Sequence, residues 1–342
     1  MAYKLNLWTI LRCASAATLL ALSACGGGAS DPVAAAVPTA DTTAAALTAD
    51  AAAAEAQAVR LRDDRVRLGQ QIFTDPDLSE PRGTACVACH QPNQGFAGNH
   101  GSRIGVALGS LPGALGLRNA MTNSYVGLIP AFSFETVNGE TEAIGGLFWD
   151  GRANSMAEQA LGPLLNPLEM NNPNRRAVVD KIAASRYAPL FRQQFGEGIF
   201  NNTDVAFTQI GVAIEAFERA ALQPFSSKFD AMVRGTVAFT PAEARGMALF
   251  QDPARANCAG CHLMNPTSGK PEDSLFSEFT YYATGIPRNN AIPRNANPAF
   301  FDLGLCGPER TAPSVPAGVS IENFCGKFRM PTLRNVAERP AW

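Results

Sequence analysis

The chain has 342 residues, of which 46% are hydrophobic and 17% charged, and its formal net charge is −2. The length fits two globular domains of ordinary size, and the near-neutral charge gives no basic surface that would indicate nucleic-acid binding. Twenty-four prolines and thirty glycines predict many loops between the secondary-structure elements.

The first 25 residues have the pattern of an export signal and are not expected to belong to the fold. Lys4 and Arg12 precede a short apolar run that is rich in small residues. Such a run is too short for a membrane-spanning helix but suits a signal peptide.

Residues 22–25, Leu-Ser-Ala-Cys, resemble a bacterial lipobox, in which the cysteine becomes the lipidated first residue of the mature protein. The alternative is a plain signal peptide that is cleaved near Ala24. With a lipobox, the protein is periplasmic and anchored to the membrane through Cys25. By analogy with other lipoproteins, Gly26 at the next position favours the outer membrane.

Residues 26–58 are rich in Gly, Ala, Thr and Pro and contain almost no large apolar side chain. Such a segment cannot bury enough surface to offset the entropy that ordering would cost. The sequence therefore predicts a flexible linker here, and the folded part is expected to begin near Val59.

The pattern Cys-x-x-Cys-His occurs twice, at residues 86–90 and 258–262, and uses two of the three histidines. Each copy follows apolar residues at helical spacing and then the dipeptide Asp-Pro (75–76 and 252–253), which is expected to end the helix. The repetition of this unit predicts a duplicated domain, with the first domain at 59–225 and the second at 226–342.

The rest of the sequence predicts helices and no strand ladder. Amphipathic or well-capped segments lie at 155–165, 175–185, 187–196 and 204–222, the last being the longest. Thr240, with Pro241 next and Glu243 three residues on, has the pattern of a capping box that begins another helix.

The Cys-x-x-Cys-His pattern indicates covalent haem attachment. Two thiols at this spacing can form thioethers with the vinyl groups of one haem, and the adjacent histidine can bind the iron. The sequence thus predicts two haem c groups, held by Cys86, Cys89 and His90 and by Cys258, Cys261 and His262. The alternatives are a redox-active dithiol, which needs no histidine at this position, and a zinc site built from all four thiols.

Two further cysteines, Cys306 and Cys325, lie outside the signal and both motifs. In an oxidising compartment they are natural partners for a disulfide.

From about residue 65 to 337 the chain resembles bacterial di-haem cytochrome c peroxidases and the related methylamine-utilisation di-haem enzymes. The resemblance rests on both haem motifs and on three segments, FWDGRANSMAEQALGPLLNPLEM (148–170), FTYYATGIPRN (279–289) and FRMPTLRNVA (328–337). It implies an all-α fold in which two cytochrome c-like haem domains pack together. The N-terminal haem would react with peroxide, and the C-terminal haem would receive and store electrons.

The same resemblance assigns catalytic roles. Glu169 and Gln159 would line the distal side of the N-terminal haem, Pro163 would shape it, and Trp149 would lie between the two haems. A carboxylate beside an open iron position can move the proton that cleavage of the O–O bond requires. The alternatives are a solvated acid at a helix end for Glu169 and an ordinary core aromatic for Trp149.

Two additional iron ligands are implied. Met330 is the candidate sixth ligand of the C-terminal iron, because a thioether ligand raises the haem potential; alternatively it fills a hydrophobic gap. His100 could bind the N-terminal iron in the resting state, and the alternative is a histidine of a surface loop.

A calcium ion between the domains is also implied. Asn119 matches the family's asparagine ligand, and Thr311 and Pro313 could supply backbone carbonyls. Three residues do not complete the coordination shell of calcium, so water would have to. Family members continue well beyond PTLRNVA, so the C-terminal domain is expected to be shortened, or the sequence to be a fragment.

These observations predict a di-haem peroxidase that reduces hydrogen peroxide to water. Its electrons would come from a small cytochrome c or a cupredoxin, and relatives suggest a homodimer. The alternatives are a di-haem oxidase that modifies residues of a partner protein and a non-enzymatic electron-transfer lipoprotein.

Overall fold

The computed structural model describes residues 40–339, and from Ala54 onward the chain forms one compact unit. The predicted signal peptide, the lipidation site Cys25 and residues 26–39 of the predicted linker lie outside the described part. The predicted boundary between residues 225 and 226 stays a prediction. No helix among the described residues has the length and apolar character needed to cross a membrane.

The described part is mostly helical. Its α-helices are α1 (Ala40–Phe73), α2 (Cys86–Cys89), α3 (Met156–Leu165), α4 (Arg175–Ala183), α5 (Ala188–Phe195), α6 (Thr203–Ala221), α7 (Lys228–Val233) and α8 (Pro241–Gln251). The predicted N-terminal caps are present, since Ser155 accepts a hydrogen bond from Glu158 N, and Thr240 forms a capping box with Glu243.

Helix α1 corrects two predictions. It begins at Ala40, so residues 40–58, which were predicted as a flexible linker, are helical. It is also longer than α6, which was predicted to be the longest helix. The reason is the alanine content of this segment, because alanine has the highest helix propensity.

The structure also contains strands, so the prediction of an all-α fold needs correction. Strands β1 (Ser133–Val137) and β2 (Glu140–Ile144) form an antiparallel hairpin. Asn138 and Gly139 connect them with φ values of 53° and 86°, which is the geometry that an Asn-Gly hairpin turn favours. A second, shorter antiparallel pair joins β3 (Tyr281–Tyr282) to β4 (Phe328–Arg329).

The largest core is formed by α1, α3, α4, α5 and α6. Two glycines allow close helix contacts at α6: a β-carbon on Gly69 of α1 would overlap Ala213 O, and one on Gly211 would overlap Ala157 O of α3. Because α6 lies this close to both neighbours, their positions around the first haem motif are fixed by packing.

A second core joins the β1–β2 hairpin to the C-terminal part of the chain. Its buried members are Ala143, Tyr281, Leu305 and Phe324. The predicted disulfide between Cys306 and Cys325 is present beside Leu305 and Phe324.

Both haem motifs follow the predicted unit of helix and turn. Helix α1 ends at Phe73 and α8 at Gln251, each just before the Asp-Pro dipeptide. Helix α2 carries the first motif, and a short 3-10 turn (Cys258–Gly260) begins the second.

Candidate functional site

A large cavity, with a volume of about 180 Å³, contains the first motif. Helix α2, the end of α3 and the following turn, α6 and the loop 107–123 contribute to its wall. The residues predicted for this site that line it are Cys86, Cys89, His90, Asn119, Trp149, Gln159, Pro163 and Glu169.

His90 is oriented by the backbone. Its Nδ1 donates a hydrogen bond of 3.1 Å to Phe96 O, which leaves Nε2 as the atom available to a metal. Burial lowers the pKa of His90, and this favours the neutral form that binds iron. These features fit the proximal ligand of a haem in this cavity.

The thiols of this motif do not suit a reactive dithiol. Cys86 and Cys89 are free, and burial raises the pKa of each to about 12, whereas a reactive thiol needs a lowered pKa. A zinc site built from all four thiols would need them grouped in one place, and among residues 40–339 no three His, Cys, Asp or Glu side chains are grouped to hold a metal ion. Two thiols and a histidine on one cavity wall fit covalent haem attachment.

The second motif repeats this arrangement. His262 Nδ1 donates a hydrogen bond of 2.9 Å to Phe276 O, and Cys258 and Cys261 are free and half-buried. The carbonyl comes from a later loop than in the first motif, but its effect on the ring is the same: Nε2 remains available.

Glu169 reaches the cavity because of the turn that follows α3. Helix α3 ends at Leu165, and Met170 N donates back to Pro163 O at 3.1 Å. Asn166 Nδ2 donates a hydrogen bond of 2.8 Å to Glu169 Oε1, and Ser110 N donates to Glu169 O at 2.7 Å. Both the backbone and the side chain of Glu169 are thus held in place.

The environment of Glu169 changes its acidity. Burial raises its pKa to about 7, with Arg152 and the hydrogen bond from Asn166 acting in the opposite direction and the charge of Glu309 adding to the increase. A carboxyl group with a pKa near neutrality can both accept and return a proton at physiological pH.

A network of ion pairs that was not predicted from the sequence includes Arg152, whose charge lowers the pKa of Glu169. Arg152 Nη1 donates to Asp150 Oδ2 at 2.9 Å, and the guanidinium carbon lies 3.6 Å from the centre of the Phe148 ring. Asp150 also accepts from Arg118, which donates twice to Asp302. Asp150 and Arg152 lie two residues apart within the 148–170 segment, and this spacing is the sequence pattern that could have indicated the ion pairs.

Trp149 lies beside two cavities. Its Nε1 donates a hydrogen bond of 2.8 Å to Asn119 O. It lines the large cavity and also a smaller one, which extends to Leu275 and Phe279. Leu275 directly precedes Phe276, the residue whose carbonyl holds His262, and Phe279 lies three residues after it.

The structure does not bring every predicted residue to the large cavity. His100 is not among its lining residues, and His100 Nδ1 donates to Leu108 O at 2.8 Å. Met330 N donates to Thr280 O, and Met330 O accepts from Ser277 Oγ, both at 2.8 Å. Met330 therefore lies along the segment that holds His262, and its role as a ligand stays a prediction.

The predicted calcium ligands are only partly associated with the site. Asn119 lines both cavities, and its Nδ2 donates to Gly105 O at 3.0 Å. Thr311 is exposed and Pro313 half-buried, in a loop without regular secondary structure. The calcium site stays a prediction.

Two buried charged residues of the cavity wall were not predicted. Glu218 of α6 is 2% exposed and accepts a hydrogen bond of 2.6 Å from Asn123 Nδ2; burial raises its pKa to about 8. Arg329 of β4 is 3% exposed and lines both cavities. Their partners come from distant parts of the chain, so no local sequence pattern indicates them.

Two Cys-x-x-Cys-His units, each with an oriented histidine, together with a carboxyl group in the cavity of the first, define a di-haem c-type site. A family profile described as di-haem cytochrome c peroxidase matches residues 63–238, and the chain belongs to this family. Membership implies two haem c groups, with hydrogen peroxide as substrate and a cytochrome as electron donor.

Individual relatives include both peroxidases and proteins named MauG. The chain is 35% identical to the methylamine utilization protein MauG of Paracoccus denitrificans over 84% of this chain and 72% of that protein. It is 29% identical to the cytochrome c551 peroxidase of Nitrosomonas europaea over 80% and 66%. The solved structure of the dihaem peroxidase BthA from Burkholderia thailandensis is similar with a TM-score of 0.73 at 37% identity, covering 81% of this chain and 67% of that one.

The chain is therefore an oxidoreductase, which argues against the purely electron-transferring alternative. The relatives' names cover two reactions, so the specific reaction and the partner belong to the proposal that follows.

Proposed function

We propose that this protein reduces hydrogen peroxide to water at the large cavity, with two electrons and two protons consumed for each peroxide. The observation that carries the proposal is that Glu169, whose pKa is raised to about 7, shares one cavity with Cys86, Cys89 and His90. When bound there, the haem supplies an iron that can bind peroxide and transfer electrons to it.

Glu169 is the proton-transfer group in this proposal. Its carboxylate would accept a proton from one oxygen of hydrogen peroxide and return it to the other oxygen, which leaves as water. The hydrogen bond from Asn166 Nδ2 to Oε1 leaves Oε2 available for this transfer. A pKa near the working pH makes both steps feasible.

Gln159 and Pro163 complete the wall. The Gln159 amide lines the cavity and has no hydrogen-bond partner among the described residues, so it is available to orient peroxide. Pro163 lies within α3 and has no N–H to donate, so it cannot form the helical bond to Gln159 O.

Electrons would enter at the C-terminal haem and pass Trp149 to the N-terminal one. The position of Trp149 beside both cavities supports this route. The donor would be a small cytochrome c or a cupredoxin.

The remaining predictions belong to the same proposal. They are a periplasmic location with an anchor at Cys25, a homodimer, a calcium ion at Asn119, Thr311 and Pro313, and iron ligation by Met330 and His100.

The test replaces the acid and retains its shape. Glu169→Gln should lower peroxide turnover with a reduced small cytochrome by roughly 10²–10⁴-fold, while mass spectrometry shows two attached haems. The matched control is Glu197→Gln, since Glu197 is an exposed glutamate away from the cavity, and its turnover should be that of the wild type. Near-normal turnover of Glu169→Gln would remove Glu169 from the mechanism.

A second candidate is oxidation of residues in a partner protein. The observation that favours it is the 35% identity to MauG of Paracoccus denitrificans. Steady-state reduction of peroxide by a small cytochrome supports the first candidate. Peroxide consumption that requires a second protein and leaves that protein covalently changed supports the second.

A further inference from the structure

Arg329 is a buried cation that has no carboxylate partner among residues 40–339. Its side chain is almost completely removed from solvent, and it forms no ion pair with any described residue. Its Nε donates to Phe148 O at 3.3 Å and its Nη2 to Met121 Sδ at 3.5 Å. A guanidinium group has five N–H donors, so a neutral carbonyl and a weak sulfur acceptor leave most of them unused.

The other two arginines of the large cavity differ in this respect. Arg118 pairs with Asp150 and Asp302, and Arg152 pairs with Asp150. The cavity therefore contains three arginines, of which only Arg329 has no carboxylate among residues 40–339.

No neighbouring group supplies the missing negative charge. The titratable group that most affects Arg329 is Tyr281, which is fully buried and donates its hydroxyl hydrogen to Gly145 O at 2.7 Å. Burial raises the pKa of Tyr281 above its ordinary value, so the phenol is neutral. Burial also lowers the pKa of Arg329 to about 10, a sign that the protein alone does not compensate this charge.

We infer that Arg329 binds a propionate carboxylate of the haem in the large cavity. A porphyrin of the c type carries two such carboxylates, and Arg329 lines the same cavity as Cys86, Cys89 and His90. An arginine can bind a carboxylate through two parallel hydrogen bonds, and this pairing tolerates burial better than an isolated charge.

The pairing has a redox consequence. A fixed positive charge beside the porphyrin stabilises the reduced iron relative to the oxidised iron and so raises the potential of the N-terminal haem. Arg329 N also donates to Trp149 O at 2.8 Å, so the same residue fixes the backbone of the tryptophan between the two cavities. Arg329 is thus a positioning residue for the haem. This inference rests on haem attachment and does not depend on the peroxide reaction.

The test uses the full protein with both haems, verified by mass, and three variants. Arg329→Gln should lower the midpoint potential of the N-terminal haem and shift its propionate bending bands in resonance Raman spectra. Arg329→Lys, which keeps the charge but loses the paired geometry, should give smaller changes. Arg176→Gln is the control, because it removes the same formal charge from an exposed position on α4 and should change neither readout.

Several results would overturn the inference. One is an unchanged potential and unchanged propionate bands in Arg329→Gln with both haems attached. Another is a shift confined to the C-terminal haem. Should Arg329→Gln fail to mature, Arg329→Lys and a crystal structure of the wild-type holoprotein decide the question. In that structure a propionate oxygen is expected within about 3.2 Å of an Arg329 nitrogen, and water or chloride in its place contradicts the assignment.

Discussion

The side chain of Asn166 holds that of Glu169 through a hydrogen bond of 2.8 Å from Nδ2 to Oε1, within the turn that follows α3. This bond stabilises the carboxylate and therefore lowers the pKa of Glu169, although burial, the larger effect, raises it to about 7. The acidity of the proposed catalytic group thus depends on a residue three positions earlier in the chain.

Removal of this bond should move the pH dependence of the peroxide reaction. In the wild type the reaction should be lost as the pH falls through about 7, because Glu169 must be ionised to accept a proton. In Asn166→Ala the profile should move to higher pH by roughly one pH unit, since a lost bond of about 1.4 kcal/mol corresponds to that change. Stopped-flow rates with peroxide across pH provide the measurement.

The control for this change is Asn171→Gly. Asn171 lies in the same turn, has a φ of 56° that glycine also adopts, and donates to Glu80 O rather than to Glu169. Its profile should match the wild type. An equal displacement in both variants would assign the effect to the turn and not to the hydrogen bond.

Glu218 should make the stability of the protein depend on pH. Burial raises its pKa from 4.5 to about 8 in the folded protein, so between these values the folded state binds more protons than the unfolded state. The free energy of unfolding should therefore fall as the pH rises from about 4.5 to 8. Glu218→Gln retains an acceptor for Asn123 and should flatten this part of the curve, as measured by thermal unfolding of the holoprotein. If the free energy of unfolding of Glu218→Gln depends on pH as steeply as that of the wild type, Glu218 is ionised in the folded protein.

The two copies of the repeated unit offer a matched pair of glycines. A β-carbon on Gly69 would overlap Ala213 O, whereas one on Gly246, which like Gly69 lies seven residues before the proline of its Asp-Pro dipeptide, meets no atom within 4 Å. Gly69→Ala should cost roughly 1–3 kcal/mol through overpacking. Gly246→Ala should stabilise by about 0.5–1 kcal/mol through helix propensity. Denaturant unfolding measures both, and equal effects of the two substitutions would contradict the close contact between α1 and α6.

Met330→His tests the predicted ligand of the C-terminal iron. Replacement of a thioether by an imidazole should lower the potential of that haem, as followed by a redox titration with absorbance detection. Met264→His is the control, because Met264 is only two residues from His262 and is not expected to reach the opposite face of the haem. An unchanged potential in Met330→His would mean that another residue binds this iron.

Trp149→Phe should slow electron transfer between the two haems. Phenylalanine retains an aromatic ring but loses the Nε1 hydrogen bond to Asn119 O. The rate at which the N-terminal haem is reduced after rapid reduction of the C-terminal one should fall, while cyanide binding to the fully oxidised protein is unchanged. Equal transfer rates in the variant and the wild type would exclude a coupling role for Trp149.

Short sequence patterns correctly predicted those structural elements that are determined by residues close together in the sequence. The helix, the Asp-Pro stop and the Cys-x-x-Cys-His motif are all contained in short windows, and both copies fold as predicted. The 148–170 segment likewise indicated Gln159, Pro163 and Glu169, which all line the large cavity.

What the sequence did not predict depends on contacts between distant residues or on competing propensities. Glu218 and Asn123 are 95 residues apart in the sequence, and Arg329 is 181 residues from Phe148, whose carbonyl it reaches. The alanine-rich start of α1 has almost no large apolar side chain to bury, which predicts a linker, but its alanines favour a helix. The dipeptide Asn138-Gly139 is a local hairpin pattern that does indicate the turn between β1 and β2.

Asn119, Trp149 and Arg329 each line both the large cavity and the smaller one, so they form a wall that the two cavities share. A molecule that displaces this wall from one side must alter the volume on the opposite side. Suppose that a change of charge at the second haem alters the affinity of the first haem for an external ligand. By thermodynamic reciprocity, binding of that ligand then alters the free energy of reducing the second haem by the same amount. Asn119, Trp149 and Arg329 are the residues through which such coupling would act, because they line both cavities.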